Sequence, residues 1–467
     1  MSLPHSAPTQ PHAGSQHPSE PLGLVPAMQS LTPSATLAIN EAIAARRAAG
    51  HEVIHLGFGE ASFPLHPLLR SALAEAVTRT TYAPVMGIPT LRQAIAGYLS
   101  RTRGLDVPAA HIVVAPGSKP LLYVLLQALQ GDLLLPAPSW VSYAPQARFA
   151  GKQVIGVEAD PTDHHRLTPA SLSAALEQAR RAGADPRILL VNTPSNPTGG
   201  MFAEEDAEAI ALWAREQGIT LISDEIYAEL AHGWREHVSP ARFYPEGCIV
   251  TGGLSKAFSA GGWRLGYAAI PRSDAGVQVV NAVRALASEI WSSASTPVQE
   301  AAVVAYSQSD DLEAYVSRSA RLHGHITGRL YATLAGLGVH CPRPAGAFYL
   351  YPDFAPWRSA LAARGVQSGA DLARLLLEEW NIAALPGLEF CERPDALRLR
   401  MATSLLCLPA GSVPQEEREA ALWKLLERAD DLPACDPAAG APLPLPMLER
   451  AQERLTAFIG SLGVPEA

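Results

Sequence analysis

Lys256 lies in Leu254-Ser255-Lys256-Ala257-Phe258-Ser259-Ala260-Gly261-Gly262-Trp263-Arg264-Leu265-Gly266, after a strand-like run, Cys248-Ile249-Val250-Thr251. Arg264 follows it by eight residues, with the Ser255 hydroxyl beside the lysine and glycines between. An amine and a guanidinium held close suit a small molecule that carries both an aldehyde and a phosphate. The amine condenses with the aldehyde, and the planar guanidinium grips the phosphate through paired, charge-assisted hydrogen bonds. Pyridoxal phosphate is such a cofactor. Alone, the same segment also suits a lysine on a solvated surface, so the other strand ends carry the decision.

His111-Ile112-Val113-Val114-Ala115-Pro116 leads into Gly117-Ser118-Lys119 at the start of a helical pattern. The free N–H groups and positive dipole end of a helix start suit a phosphate. Leu133-Leu134-Leu135-Pro136-Ala137-Pro138-Ser139 leads to Trp140, a flat apolar face that can stack on a pyridine ring or fill a core. Ile188 to Val191 lead into Asn192-Thr193-Pro194-Ser195-Asn196-Pro197-Thr198-Gly199, whose residues are also turn formers. Asn196 is the candidate there for contact with cofactor and substrate. Ile219 to Ser223 lead into Asp224-Glu225-Ile226-Tyr227. Asp224 can be read as a helix N-cap. It can also be read as a carboxylate that keeps a pyridine nitrogen protonated, so that the ring withdraws electrons. Tyr227, one helical turn on, could then donate a hydrogen bond to the ring oxygen.

These residues need a scaffold that brings strand ends together. Between Ser71 and Pro271 short apolar runs, His111–Val114, Leu133–Leu135, Val154–Val157, Ile188–Val191, Thr220–Ser223, Ile249–Thr251 and Tyr267–Ile270, alternate with longer amphipathic ones such as Lys119–Leu129 and Glu204–Gln217. The alternation predicts an α/β fold with a mostly parallel sheet covered by helices on both faces. Ligands bind at the carboxyl edge of such sheets.

The order Gly-Ser-Lys, Trp, Asn-Pro-Thr-Gly, Asp-x-x-Tyr, Ser-Lys and Arg resembles the class I/II aminotransferases of PLP fold type I over about residues 26 to 404. The likeness is greatest to the bacterial aspartate/aromatic branch, with Pro138-Ser139-Trp140-Val141-Ser142-Tyr143, Ser223-Asp224-Glu225-Ile226-Tyr227 and Gly262-Trp263-Arg264-Leu265-Gly266-Tyr267. The resemblance implies a large cofactor-binding domain over residues 71–300. A smaller α/β domain would be built from both chain ends, residues 26–70 and part of 301–467. It implies Lys256, Asp224 and Tyr227 as catalytic residues. Gly117, Ser118, Lys119, Trp140, Asn196, Ser255, Arg264 and Tyr82 would hold the cofactor, and Gly59, Trp140, Asn196 and Arg398 the substrate.

Tyr82-Ala83-Pro84-Val85-Met86-Gly87 through Arg92 matches the family segment whose tyrosine reaches the phosphate of a neighbouring subunit, so a homodimer with shared sites is implied. Gly57-Phe58-Gly59-Glu60 matches the turn that lets a strand close over the substrate carboxylate. Leu397-Arg398-Leu399-Arg400-Met401-Ala402-Thr403-Ser404 matches the strand carrying the α-carboxylate arginine. Alternation would let Arg398 and Arg400 face one side, and family spacing to Ala402-Thr403-Ser404 selects Arg398, leaving Arg400 at the rim or outside. In aspartate-type relatives a lysine at position 119 can reach a distal carboxylate. Here it could instead face solvent or the cofactor phosphate.

The sequence also departs from the family. Gly253 replaces a frequent phosphate-binding serine, and Gly59-Glu60-Ala61-Ser62-Phe63 replaces Gly-Glu-Pro-Asp-Phe. The stretch 405–446 is longer than in relatives. The implied reaction is transamination between an amino acid, aspartate or an aromatic one, and a 2-oxo acid such as 2-oxoglutarate. A carbon–sulfur β-lyase on the same fold is the alternative. A cofactor-binding transcription regulator would need a DNA-binding helical module ahead of residue 26, where the chain is Pro-rich.

Composition fits an enzyme with a large core: 467 residues, 48% hydrophobic, with a net charge of −9 that offers no general attraction to nucleic acid or anionic lipid. Five cysteines, Cys248, Cys341, Cys391, Cys407 and Cys435, lie far apart with no C-x-x-C pair, as expected of a reduced, cytoplasmic protein. No apolar run approaches a membrane span. Residues 1–25, rich in Pro, Ser, His and Gln, read as a disordered tail. Neither its His5, His12 and His17 nor the pair His164-His165 has metal-ligand spacing, and the pair reads as part of a solvated loop. The Pro/Ala-rich stretch 432–446 reads as an insertion between helical runs Glu416–Asp430 and Met447–Leu462.

Overall fold

The computed structural model describes Gly23 and residues 35–411, 413–433 and 443–466. The tail with its three histidines, Cys435 and most of the 432–446 stretch lie outside the described residues.

After a short strand, Ile54–His55 (β1), the chain builds a seven-stranded sheet. Its strands are Ile112–Ala115 (β2), Asp132–Ala137 (β3), Val154–Glu158 (β4), Pro186–Asn192 (β5), Thr220–Asp224 (β6), Cys248–Gly253 (β7) and Gly266–Ala269 (β8). The spatial order is β2-β8-β7-β6-β5-β3-β4. Strands β4, β3, β5, β6 and β7 are mutually parallel, and β8 runs antiparallel to both its neighbours. Each expected apolar run is a strand of this sheet.

Continuous apolar strands are what a sheet buried on both faces requires. Here successive residues sort into different cores: Val114, Leu134, Leu189, Leu221 and Val250 into one, and Val113, Leu133, Leu135, Ile188, Leu190, Ile222 and Ile249 into the other. The helix Ser118–Ala128 covers the second face through Leu121, Leu122 and Leu125, and the helix Glu204–Gln217 covers the first through Ile210 and Trp213.

A third core draws on both ends of the chain. β1 pairs in parallel with Ile382–Ala383 (β10). Tyr349–Leu350 (β9), Leu385–Pro386 (β11) and Leu399–Ala402 (β12) form an antiparallel sheet of order β11-β12-β9. The long helix Asp310–Gly336 buries Leu322, Ile326, Leu330 and Leu334 in this core. The helical runs expected near the end are Gln415–Glu427 and Pro446–Ser461, and Leu422, Leu426, Leu448, Leu455 and Phe458 bury their apolar faces in the same core. The described parts of the long 405–446 stretch contribute Leu406, Cys407, Leu443 and Leu445 to it. Among the described residues no helix is long and apolar enough to cross a membrane.

Candidate active site

Parallel strands in register carry their last residues to one level. Asn192 and Asp224 end β5 and β6 side by side, with Thr251 of β7 in register with Asp224, and Asp224 is buried there. Its Oδ1 accepts from the Thr251 hydroxyl at 3.1 Å and its Oδ2 from the Tyr143 hydroxyl at 2.7 Å, while Asn192 Nδ2 donates to its carbonyl at 2.8 Å. Burial pushes the Asp224 carboxyl up to about 6, and the hydrogen bonds from Tyr143 and Thr251 oppose that rise. No α-helix starts at Asp224. A turn leads instead to a short 3-10 segment, Ala228–Leu230, so the N-cap reading and the helical spacing to Tyr227 are both corrected. The turn still brings Tyr227 to the cavity, where its hydroxyl meets that of Tyr349 at 2.7 Å.

The cavity above this edge has a volume of about 360 Å³. Lys256 enters it from the loop after β7 and donates to the Gly59 carbonyl at 2.7 Å. Its Nζ lies 5.6 Å from the Tyr227 ring centre and 5.7 Å from that of Phe348. Burial lowers the Lys256 pKa to about 8, Glu60 opposes the shift, and Arg400 and Arg264 add to it. Gly59 belongs to a close approach: a Cβ there would collide with the Tyr349 hydroxyl.

At the other end Ser118 begins the helix Ser118–Ala128, and Gly117 before it has φ +96°. A Cβ on Gly117 would strike the Arg264 guanidinium, so helix start and arginine converge only because this residue is glycine. Ser255, Asn196 and Trp140 also line the cavity. Lys119 lines it with Nζ 4.9 Å from the Trp140 ring centre, and burial, then Arg264, lower its pKa.

Arg398 is not brought to the cavity. Its guanidinium is held by Asp353 at 2.8 Å and Glu392 at 2.7 Å. Arg400, two residues further along the strand, reaches the cavity instead. It is 2% exposed, donates to the Gly57 carbonyl, and lies 5.1 Å and 5.2 Å from the ring centres of Tyr349 and Phe390. Among the described residues no carboxylate pairs with it, and burial lowers its pKa. The two side chains stand about 6.6 Å apart along an extended strand, which is enough to put one at the cavity and the other among carboxylates.

Tyr82 stands away from this cavity, 91% exposed. His165 is not a solvated loop residue: it packs edge-on against Tyr351 at 5.6 Å, and burial lowers its pKa to about 4. Tyr143, Thr251, Asn192 and Tyr349 had no assigned role in the sequence. Tyr143 had a signal, its place three residues after Trp140 in the Pro138–Tyr143 phrase.

The family described as Aminotransferase class I and II matches residues 51–405. The aspartate aminotransferase of Geobacillus stearothermophilus is 37% identical over 80% of this chain and 93% of its own length. The aspartate/prephenate aminotransferase of Thermus thermophilus is 35% identical over 82% of this chain and 95% of its own. The solved structure of the Thermus thermophilus aspartate aminotransferase with maleate superposes with a TM-score of 0.74 at 32% identity, covering 87% of this chain and 98% of that one. With the lysine, buried carboxylate and arginine of the strand edge gathered round one cavity, the chain belongs to the class I and II aminotransferases and is an enzyme of pyridoxal-phosphate-dependent transamination.

Proposed function

We propose that this aminotransferase moves the amino group of a dicarboxylic amino acid, aspartate first and an aromatic amino acid as a second class, to 2-oxoglutarate, with Arg400 anchoring the substrate's α-carboxylate. The observation that carries this is the Arg400 guanidinium, buried in the same cavity as Lys256 and without a carboxylate partner among the described residues. A buried cation without a counter-charge is costly, and a carboxylate supplied by the substrate relieves it.

The cavity fits the cofactor. Arg264 meets the Gly117–Ser118 helix start where a phosphate would sit, with Ser255 adjacent, and the Asn196 side-chain oxygen is buried without a hydrogen-bond partner among the described residues. When bound, pyridoxal phosphate supplies an electron sink for the negative charge that develops at the substrate's α-carbon. Asp224, hydrogen-bonded by Tyr143 and Thr251, would meet the ring nitrogen, where a cation would hold its carboxylate ionised against the effect of burial. Tyr227, its own pKa pushed well up by burial, keeps its proton and would donate a hydrogen bond to the ring oxygen. Trp140, on the cavity wall, would lie against the ring face. Lys256 Nζ takes the proton from the substrate's α-carbon and later returns one, and its depressed pKa suits it to both tasks near neutrality. Lys119 meets the distal carboxylate of aspartate or glutamate. Tyr82 acts in a homodimer, reaching the phosphate in the neighbouring subunit, and the enzyme works in the cytoplasm.

The test is an assay of the purified holoenzyme with L-aspartate and 2-oxoglutarate. Formation of oxaloacetate and glutamate supports the reading. Release of pyruvate and ammonia, from an amino acid bearing a β-leaving group and with no glutamate formed, would replace it with the β-lyase alternative.

A further inference from the structure

A second, larger cavity of about 580 Å³ adjoins the first. The two share one wall, made of Tyr143, Asn192 and Asn196. Beyond that wall the lining changes character. Pro138, Leu167, Met201 and Phe202 supply apolar surface, and Trp234 stands with two guanidiniums over its ring, Arg343 at 4.5 Å and Arg235 at 4.9 Å from the ring centre. The indole and the Arg235 guanidinium are held in place, and Arg343 is exposed at the cavity's edge. Trp234 Nε1 donates to the Pro344 carbonyl at 3.1 Å, and Arg235 donates to the Met201 carbonyl at 2.8 Å. Among the described residues neither arginine makes an ion pair, whereas the third arginine of the lining, Arg166, is neutralised by Asp206 at 2.6 Å. Two like charges against one indole repel each other, and an anion that meets both guanidiniums offsets that repulsion. The carboxylates of Asp163 and Glu205 line the same cavity and disfavour an occupant with a second negative end.

We infer that this cavity is a second ligand site, for a monocarboxylate with an apolar ring, whose carboxylate is taken by Arg235 and Arg343 and whose body lies on the Pro138, Leu167 and Phe202 surface. Its preference is the reverse of the cofactor cavity, where Arg400 and Lys119 both await carboxylates. The shared wall gives the occupant a route to the chemistry. Tyr143 donates to the Asp224 carboxylate, Asn192 Nδ2 donates to the Asp224 carbonyl, and Asn192 Oδ1 accepts from the Asn196 N–H at 2.7 Å. An occupant that shifts these side chains alters the setting of the carboxylate beneath the cofactor ring. By linkage, cofactor-site ligands then alter its affinity in turn.

The experiment uses the holoenzyme and phenylacetate, which has neither an amino nor a 2-oxo group to react. Phenylacetate is titrated calorimetrically, alone and with saturating maleate filling the cofactor cavity. Visible absorption of the bound cofactor is followed in parallel. The expected result is binding that persists in maleate, changes the visible spectrum, and weakens about tenfold or more in Arg343→Ala and in Trp234→Leu, as removal of one partner of a carboxylate requires. Arg343→Ala should keep its turnover when phenylacetate is absent. Binding that maleate abolishes, or that both variants retain unchanged, overturns the second site, and so does the absence of any binding. Maleate binding and aspartate turnover report the first cavity separately, so failure of the substrate proposal is seen independently.

Discussion

Arg398 and Arg400 stand two residues apart on one strand end in opposite surroundings, and the difference is a matter of counter-charges. Asp353 and Glu392 neutralise Arg398, so removing it leaves two carboxylates with lost partners, whereas removing Arg400 strands no carboxylate among the described residues and costs one hydrogen bond to the Gly57 carbonyl. Arg400→Leu is therefore expected to lower kcat/KM for aspartate by roughly 2–5 kcal/mol, the scale of unpairing a buried charge, while Arg398→Leu lowers the urea midpoint and changes kcat/KM less. Steady-state kinetics and denaturation of both variants decide, and an activity loss confined to Arg398→Leu would return the anchor to that residue. Lys256 gives a second test. Its pKa, lowered to about 8 chiefly by burial, leaves ~10²-fold more unprotonated amine at pH 7 than an exposed lysine has. Because the neutral amine is the reactive form, covalent attachment of added pyridoxal phosphate to the apoprotein should quicken as pH rises through 8 and then level off. Borohydride trapping followed by peptide mapping measures the rate and should find the label on Lys256.

At the scale of elements, the strand edge is held by a buried ionic clamp. Arg103, the last residue of the helix Pro89–Arg103, donates to Glu225 at 2.8 Å and to Glu229 at 2.6 Å, and Glu225 also accepts from the hydroxyls of Ser223 and Ser239. Glu225 follows Asp224 directly, so the clamp fixes the turn that separates Asp224 from Tyr227. Arg103→Met should cost ~3–5 kcal/mol at pH 7, because it strands buried carboxylates. Burial raises the Glu225 pKa. A carboxyl whose folded pKa is raised destabilises the fold when ionised, so the deficit of the variant should shrink as pH falls from 7 towards the carboxyl range. Urea unfolding of both proteins at several pH values reads this directly, and a deficit that does not change with pH would show that Glu225 is not the group exposed by the loss.

For the whole molecule, Tyr82 is 91% exposed and outside the cavity of its own chain, although it lies in a family-like segment. The dimer proposal gives it a site to complete. A Tyr82→Ala chain and a Lys256→Ala chain, each inactive alone, should form mixed dimers in which one of the two sites has both native residues. Random reassortment in a two-fold dimer then restores native composition to about a quarter of the sites. Verified heterodimers without recovered activity would place Tyr82 outside any shared site.

The sheet was legible in the sequence because burial on both faces demands uninterrupted apolar runs, and each run from His111–Val114 to Tyr267–Ile270 has no competing reading of the same length. The polar residues that end β5 and β6, Asn192 and Asp224, were legible with it, since parallel strands in register bring those ends to one edge. Lys256, Asp224 and Arg264 could thus be grouped from order alone. What the sequence left open depended on partners far along the chain. Asp353 lies far upstream of Arg398, Tyr143 far from Asp224, and Tyr351 far from the histidine pair, so only folding shows that Arg398 is neutralised, that Asp224 has a hydroxyl donor, and that His165 is packed. Local pattern also favoured a helix after Asp224, where Arg103, from another element, holds a tight turn instead. Strand alternation fixes which side a residue faces. How far along that side the charge finds its partner is decided only by the tertiary structure.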